Sequence, residues 1–439
     1  MIKVAKFGGS SLADAAQFQK VKNIIKADAT RRFVVPSAPG KRFKGDDKVT
    51  DLLYKCYALA CAGQDTGEVF EKITSRYVSI KEELGLKCDI AKIISDVKKR
   101  VDGGASIDYT ASRGEYLNGI LLAEFLGFPF VDAAEVVLFD TNGVLDTDKT
   151  NSVMGKALSK FGCAVIPGFY GSLPDGSIKT FSRGGSDITG SLVARAVKAD
   201  LYENWTDVSG FMVADPRIVP ETKSIEYITY KELRELSYMG AAVLHQDAVF
   251  PVAQSGIPIN IRNTNDPDAA GTMIVNELHG DHRNDMTITG IAGHPGYCVI
   301  TIEKSMMNSE LGIGRKFLEI FERNNILFEH LPSGVDTMSA VLNTKAIQGK
   351  LENVLSAIRD ELHPDSIDFV PDLALLAVVG HKMASTAGTA AKIFNALGKE
   401  KINIRTIDQG SSEINIIIGV DECNLEKSIR AIYNAFCVK

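Results

Sequence analysis

The sequence predicts an α/β chain: a three-layer αβα domain on a largely parallel central sheet, followed by two small βαββαβ modules in tandem. Three observations carry that prediction. Short apolar runs alternate with amphipathic segments up to about residue 275, the rhythm of a parallel sheet covered by helices on both faces. A stretch rich in Asn, Asp, Gly and His over 263–287 breaks the rhythm and reads as a connector, with Asp281-His282-Arg283 inside it. Beyond it the chain repeats itself. The 439 residues leave room for about three domains of ordinary size.

Ile2, Val4 and Phe7 read as a short buried strand ended by a sharp Gly8-Gly9 turn. A helix is expected from Ser10 or Ser11, with Phe18, Val21, Ile24 and Ile25 on one face and Ser11 and Asp14 as its capping pair. Strand, turn and helix start would offer free backbone N–H groups and a positive dipole end to an anion, with Lys6 beside it. The same residues also describe a tight turn with a solvated lysine, because GxxxxGK[ST] is absent. Phe33-Val34-Val35 is a second strand, ending in Pro36-Ser37-Ala38-Pro39-Gly40; a loop over 41–48 and a helix over about 49–61 follow. Residues 68–101 read as two charged amphipathic helices, an excursion from the sheet. Segments 128–131, 136–139, 163–166 and 201–205 are strand candidates, and Leu173-Pro174-Asp175-Gly176-Ser177 carries hairpin-turn chemistry.

The repeat emerges when the chain is slid against itself. Gly312 matches Gly388, Phe317 matches Ile393, Phe321 matches Leu397 and Ile326 matches Ile402. Phe328 pairs with Ile404, Gly334 with Gly410 and Val341 with Ile417, all at a separation of 76 (388 − 312 = 76) with no gap. Each copy reads as a ferredoxin-like βαββαβ module. Two open sheets in tandem would tend to pair with each other, which suggests a paired binding module.

Composition narrows the function. A net charge of −6 provides no basic field for nucleic acid or an anionic membrane. No apolar run approaches the roughly 18 residues of a membrane span, and the sequence opens on a strand rather than a secretory leader. The seven cysteines (56, 61, 88, 163, 298, 423, 437) lack any C-x-x-C, and the seven histidines show no H-x-x-x-H. Reduced thiols in a cytoplasmic protein, without a protein-bound transition metal, are expected.

Four clusters carry candidate chemistry: Lys6 with Gly8, Gly9 and Ser10; Ser112-Arg113-Gly114-Glu115 at the start of a helix; Phe181-Ser182-Arg183-Gly184-Gly185-Ser186-Asp187 at a strand-to-helix junction, with Ser186 able to cap that helix; and Trp205-Thr206-Asp207, followed by Asp215-Pro216-Arg217. Singly, each has an ordinary explanation as a surface charge or a helix-start acid. Together, two glycine-rich strand-to-helix turns with charged residues fall where open α/β sheets bind ligands, beyond the carboxyl ends of strands.

Lys6-Phe7-Gly8-Gly9-Ser10-Ser11, Arg183-Gly184-Gly185-Ser186-Asp187 and Trp205-Thr206-Asp207-Val208 resemble the signature segments of the aspartate kinases of the amino-acid kinase superfamily. The similarity continues through Asp215-Pro216-Arg217 and Gly240-Ala241-Ala242-Val243-Leu244-His245 and covers nearly the whole chain, because the family also carries paired C-terminal ACT modules. The resemblance implies a catalytic domain over 1–275 (substrate part to about 200, nucleotide part about 200–275), a connector over 276–290, and ACT modules over 291–370 and 371–439. It implies a monofunctional enzyme that moves the γ-phosphoryl group of ATP to the β-carboxylate of L-aspartate, at the head of lysine, threonine and methionine biosynthesis. No fused homoserine dehydrogenase is expected.

Carried over by position, Lys6 would touch the phosphates, the backbone of Gly8, Gly9 and Ser10 would complete the cradle, and Asp187 would hold the cationic groups in place. Arg183 would take the α-carboxylate, Glu115 the α-amino group, and Ser37 and Thr50 would line the substrate pocket. Thr206, Asp207, Arg217 and Lys223 would serve the nucleotide, with Mg2+ bridging its phosphates and no metal ligand from the protein. Ala242 departs from the family's lysine, Gln246 from its proline and Met212 from a frequent tyrosine; Lys223 or Arg217 would have to compensate. An amino-acid effector, lysine first and threonine second, is expected near Met307, Phe328, Glu329 and Ser333 of the first ACT module. A homodimer through the ACT modules, or a tetramer, is expected. The competing readings are another amino-acid kinase and an amino-acid-sensing protein that has lost activity.

Overall fold

The computed structural model describes residues 1–182, 184–240, 251–278 and 286–438. Arg183, Ala242, His245, Gln246 and the 281–283 segment lie outside the described residues. The chain divides into two compact units. The first comprises 1–211, 224–231 and 243–283, the second 212–223, 232–242 and 284–439. Among the described residues no helix is long and apolar enough to cross a membrane.

The first unit is built on β1 (Lys3–Phe7), β2 (Arg31–Pro36), β3 (Ala164–Val165), β6 (Leu201–Thr206), β7 (Tyr227–Thr229), β8 (Ile259–Asn263) and β9 (Thr272–Val275), in the order β3-β2-β1-β6-β8-β9-β7. All neighbours run parallel except β8 and β9. The alternation of side chains along the central strands builds two faces. Ala5, Phe7, Val34, Val165 and Trp205 join a core with α1 (Ala15–Ala27), α2 (Val49–Cys61), α3 (Gly67–Glu83), α4 (Ile90–Asp102) and α5 (Ile107–Leu126). Lys6, Tyr202 and Asn204 point the other way; after α6 (Ala133–Val136) and α7 (Thr147–Leu158), α8 (Gly185–Ala196) packs on β1, β2 and β6 there. A separate hairpin, β4 (Tyr170–Ser172) and β5 (Ile178–Thr180), closes through the Leu173–Ser177 turn.

Several local expectations change. The helices over 68–101 are no excursion: Phe70, Ile73, Tyr77, Ile80, Ile90 and Ile94 belong to the same core as β1. A short 3-10 turn, Gly9–Leu12, separates the glycines from α1, which Asp14 caps by accepting from Gln17 N; Ser11 Oγ instead meets Thr264 Oγ1 at 2.7 Å. Ser112–Glu115 sits inside α5, because Ser106 caps that helix. Gly184, in the left-handed region at φ 59°, rather than Ser186, stands at the N-cap of α8. Segments 128–131 and 136–139 make only isolated bridges, Phe130 to Val165, Leu138 to Ser172 and Phe139 to Leu145. Asp132 caps α6 by accepting from Ala134 N, and Thr150 Oγ1 takes the Leu138 N–H.

In the second unit β10 (Gly290–Glu303), β11 (Phe328–His330), β12 (Thr337–Asn343), β13 (Ser366–Val379), β14 (Ile404–Asp408) and β15 (Asn415–Asp421) form one antiparallel sheet, ordered β11-β12-β10-β13-β15-β14. The helices Ile313–Arg323 and Thr389–Lys399 start after Gly312 and Gly388, both left-handed at φ 82° and 87°, and bury Phe317, Phe321, Ile393 and Leu397. The repeat is therefore structural, with one correction: Val341 pairs with Val299 and Gly419 with Leu375, so the last strand of the second copy lies 78 residues on (419 − 341), not 76. An insertion of two in the β14–β15 hairpin preserves the inward face, because side chains alternate with period two. β10 and β13 pair with each other along their length, with register slips near Pro295–Val299. Gly290–Pro295, which precedes the first copy, thereby runs beside the strand that opens the second. His330 Nδ1 on β11 lies 2.7 Å from Asp408 Oδ2 on β14. Six strands laid flat would hold those edges roughly 24 Å apart, so the sheet folds back on itself.

Beneath the first unit's sheet, Glu203 is fully buried and accepts from Arg31 Nε at 2.7 Å and Trp205 Nε1 at 2.9 Å. Arg262 and Lys3 approach within 3.9 and 3.8 Å. Removing one partner from such a cluster strands the other charges, at a cost of ~3–5 kcal/mol. Glu203→Ala should lose about that much in urea unfolding followed by Trp205 fluorescence, the chain's single tryptophan; an unchanged midpoint would show the cluster to be dispensable.

Candidate functional site

The carboxyl ends of β1, β2 and β6 lie side by side, and backbone hydrogen bonds tie their loops together. Gly8 N donates to Trp205 O at 2.9 Å, Ser37 N to Phe7 O at 3.0 Å and Gly40 N to Gly9 O at 2.8 Å. Two of the glycines are required by close approach. A Cβ on Gly9 would stand 2.9 Å from Ala38 O, and one on Gly40 would stand 2.6 Å from the Gly9 carbonyl carbon. Gly8 is uncrowded, its nearest neighbours being Trp205 O at 3.6 Å and Lys6 Nζ at 3.8 Å.

Lys6 is not a solvated lysine. Its side chain is 9% exposed, and its ammonium meets Asp187 Oδ1 at 2.6 Å. Asp187 lies in the first turn of α8, where the helix dipole favours a carboxylate. The same oxygen accepts from Asn204 Nδ2 at 2.7 Å, and Asn204 stands opposite Lys6 in the β1–β6 register. Tyr202 Oη donates to the Asp187 carbonyl at 3.2 Å. Three elements therefore fix a cation beside the Gly8–Gly9 turn.

Glu115, on α5, is buried, and its carboxylate accepts the backbone N–H of Ala38. Burial pushes its carboxyl up to about 8, against the opposing pull of Ala38 N–H and the Arg113 charge. Oε2 of Glu115 and Oδ1 of Asn118 are buried without a partner, while Asn118 Nδ2 donates to Ser37 O at 2.6 Å. Residues three apart share a helix face, so two unpartnered oxygens flank the Ser37–Ala38 segment. Buried polar atoms of this kind call for a partner, and once Glu115 is ionised both oxygens can accept from a donor.

A family model described as the amino acid kinase family matches residues 1–263, more than half of the chain. Aspartokinase 3 of Bacillus subtilis is 39% identical over 452 positions, covering 99% of this chain and 98% of that protein. The chain belongs to the aspartokinases of the amino acid kinase family. An ACT domain model matches residues 376–436 of this aspartokinase. The crystal structure of Clostridium acetobutylicum aspartate kinase is 54% identical with a TM-score of 0.91, covering 99% of both chains. Escherichia coli aspartokinase III, solved with aspartate and ADP and also with lysine and aspartate, is 26% identical at TM-scores of 0.75 and 0.74, again covering 99% of both chains.

The remaining candidates of the aspartokinase scatter more widely. Ser37 and Thr50 are half-buried, at the end of β2 and in the first turn of α2. Thr206 ends β6 and its hydroxyl contacts Asp207, which is exposed. Arg217 and Lys223 belong to the second unit. Arg217 is committed to Asp215 at 2.6 Å, and the Lys223 ammonium donates to Cys437 O at 2.8 Å, so serving a nucleotide would require Lys223 to release that bond. In the same unit Met307 is buried, Phe328 and Glu329 lie on β11, Ser333 bridges to Met338, and Glu329 accepts from Tyr238 Oη. Among the described residues no group of three or more His, Cys, Asp and Glu is placed to hold a metal ion. Sequence reasoning missed Asn204 and Asn118; a polar Glu203-Asn204 pair inside a strand otherwise suited to burial was the available signal for the first.

A raised carboxyl pKa has a definite sign in stability. The folded state keeps the Glu115 proton up to about pH 8 while the unfolded chain releases it near ~4.3. Stability is thus lost as pH rises between those values. Glu115→Gln should match the parent's thermal stability at pH 4 and exceed it at pH 9; a difference independent of pH would show that the side chain does not titrate as a buried acid.

Proposed function

We propose that this aspartokinase transfers the γ-phosphoryl group of ATP to the β-carboxylate of L-aspartate, giving 4-phospho-L-aspartate, the entry step to lysine, threonine and methionine. The observation that carries this reading is the pairing of a pinned cation, Lys6, with an unsatisfied buried acceptor, Glu115, around one loop cluster. E. coli aspartokinase III, solved with aspartate and ADP, supports it.

A β-carboxylate oxygen attacks the γ-phosphorus while the bond to the β,γ-bridging oxygen breaks and ADP departs with that electron pair. A carboxylate with a pKa of ~3.9 is already ionised at neutral pH, so no residue has to accept a proton. The task reduces to alignment and to neutralising charge between two anions. Mg2+ enters with the nucleotide as part of the substrate. Lys6 supplies fixed positive charge beside the Gly8–Gly9 turn, and Asp187 with Asn204 keeps it from collapsing onto the phosphates in a wrong geometry. Glu115 and Asn118 receive the substrate's ammonium, and Arg183 takes the α-carboxylate.

For regulation, lysine is the first effector candidate and threonine the second, acting at the ACT modules around Met307, Phe328, Glu329 and Ser333; the lysine complex of E. coli aspartokinase III supports this. Homodimerisation through the first module would cover Leu311, Leu327 and Val335, which are 97%, 84% and 67% exposed.

Coupled detection of ADP release should show turnover with aspartate and little with glutamate; equal rates, or none, would overturn the assignment. Lys6→Ala should lower kcat at least ~100-fold while far-UV circular dichroism stays native, and near-parental turnover would remove Lys6 from the mechanism. Aspartate KM should fall as pH rises towards about 8, where Glu115 becomes the carboxylate an ammonium needs, and then level off; Glu115→Gln should flatten that profile.

A further inference from the structure

The loop that completes both halves of the site is held from behind by a buried arginine on α3. Arg76 has a side chain only 5% exposed, yet it lies outside every segment so far connected with the reaction. Its Nη1 donates to Gly40 O at 2.9 Å, and its Nη2 meets Asp46 Oδ2 at 2.7 Å and Asp47 O at 3.4 Å. One guanidinium therefore grips two points of the chain between β2 and α2. Asp46 is itself buried and takes a second guanidinium, accepting from Arg42 Nε at 2.9 Å and Nη2 at 3.0 Å. The next residue on α3, Tyr77, donates through Oη to Gly114 O at 2.7 Å, immediately before Glu115.

What Arg76 grips is consequential. Gly40 donates to Gly9 O, and its Cα lies so close to Gly9 that neither residue has room for a side chain. Two residues earlier, Ala38 N–H is the hydrogen-bond donor that favours the charged form of Glu115. A shift of the 38–40 segment would therefore move the phosphate turn and uncouple the amino-group acceptor together. The planar fork of arginine satisfies the Gly40 carbonyl and the Asp46 carboxylate at once, whereas an ammonium presents a single point.

We propose that Arg76 is a positioning residue for phosphoryl transfer: by clamping Gly40 and Asp46 it sets the Ser37–Gly40 loop against Gly9 and Glu115. It touches neither substrate and acts through the loop. The inference rests on the reaction given above for its kinetic consequences, though not for the clamp itself.

The test uses the full-length protein with Arg76→Gln and Arg76→Lys. Arg76→Gln should raise the aspartate KM and lower kcat, with kcat/KM reduced ~10- to 100-fold, the scale expected of misplacement by about 1 Å. The pH at which the aspartate KM levels off should also move upward, since Glu115 loses a hydrogen bond to its charged form. Arg76→Lys should recover part of kcat/KM and less of the pH shift. A loss of stability alone would lower the melting temperature and leave the pH midpoint where it was; that outcome, or parental kinetics in Arg76→Gln, overturns the proposal. Hydrogen exchange gives a second reading that needs no turnover: the amides of Ala38 and Gly40 should exchange at least ~10-fold faster in Arg76→Gln, and unchanged protection also overturns the clamp. If the parent protein showed no aspartate-dependent ADP release, the reaction assignment would fall while exchange at these amides still decided the clamp.

Discussion

A lysine ammonium buried at the end of a parallel strand cannot stand without a counter-charge, and most of the first unit's architecture follows from supplying one. Lys6 points away from the face that carries Phe7 and Trp205, so its partner must come from the opposite layer. α8 provides Asp187 there, in its first turn, where the helix dipole already lowers the cost of a carboxylate. Asn204, level with Lys6 on β6, uses the same oxygen and leaves the pair little freedom to swing. Gly184 in a left-handed conformation makes the abrupt entry into α8 possible, and a Cβ on Gly185 would stand 2.7 Å from Phe169. The ion pair thus binds β1, β6 and α8 into one piece, and the glycine turn inherits a cation at a fixed position.

Legibility in the sequence followed the length scale of each interaction. The first strand, α2 and the Leu173–Ser177 turn were readable because their signals are contained within a few neighbouring residues. Lys6, Gly9, Glu115 and Asp187 could be singled out from local motif and family resemblance. What those residues do to one another could not, since Lys6 and Asp187 meet only after more than a hundred residues of intervening chain have folded. The helix starts failed for a related reason. Ser11 and Ser186 both look like caps, yet Ser11 is claimed by Thr264 and α8 begins at a glycine, choices set by tertiary contacts rather than by propensity. Segments 128–131 and 136–139 have strand composition, but Asp132 and Thr150 offer the backbone other hydrogen bonds and reduce them to isolated bridges.

The tandem repeat shows how much deviation a pattern tolerates while still defining a fold. Helices 313–323 and 389–399 keep the spacing of 76, but the β14–β15 hairpin absorbs two extra residues. An odd insertion would have turned Ile416 and Ile418 to the wrong face; an even one leaves the inward positions apolar. The first copy completes its sheet with the opening half of β13, which follows its own second helix. The second copy takes its outer strand from Gly290–Pro295, the start of β10, which runs beside Ala374–Val379. Two modules joined in this way cannot separate without breaking the β10–β13 hydrogen bonds.

The buried acid and the buried lysine place opposite demands on the same few residues of loop. Glu115 without a substrate is most stable protonated, whereas Lys6 is paired with Asp187 at 2.6 Å. In the proposed role, an arriving ammonium would reverse the balance at Glu115, converting an unfavourable buried carboxylate into half of an ion pair. Ala38 N–H already leans towards the charged form, so the cost of that conversion depends on how firmly the loop carrying it is held. Rigidity at Ser37–Gly40 is therefore not incidental to a folded core. In the proposed reaction it would decide how much of the substrate's binding energy is spent ionising the acceptor and how much remains for aligning two anions.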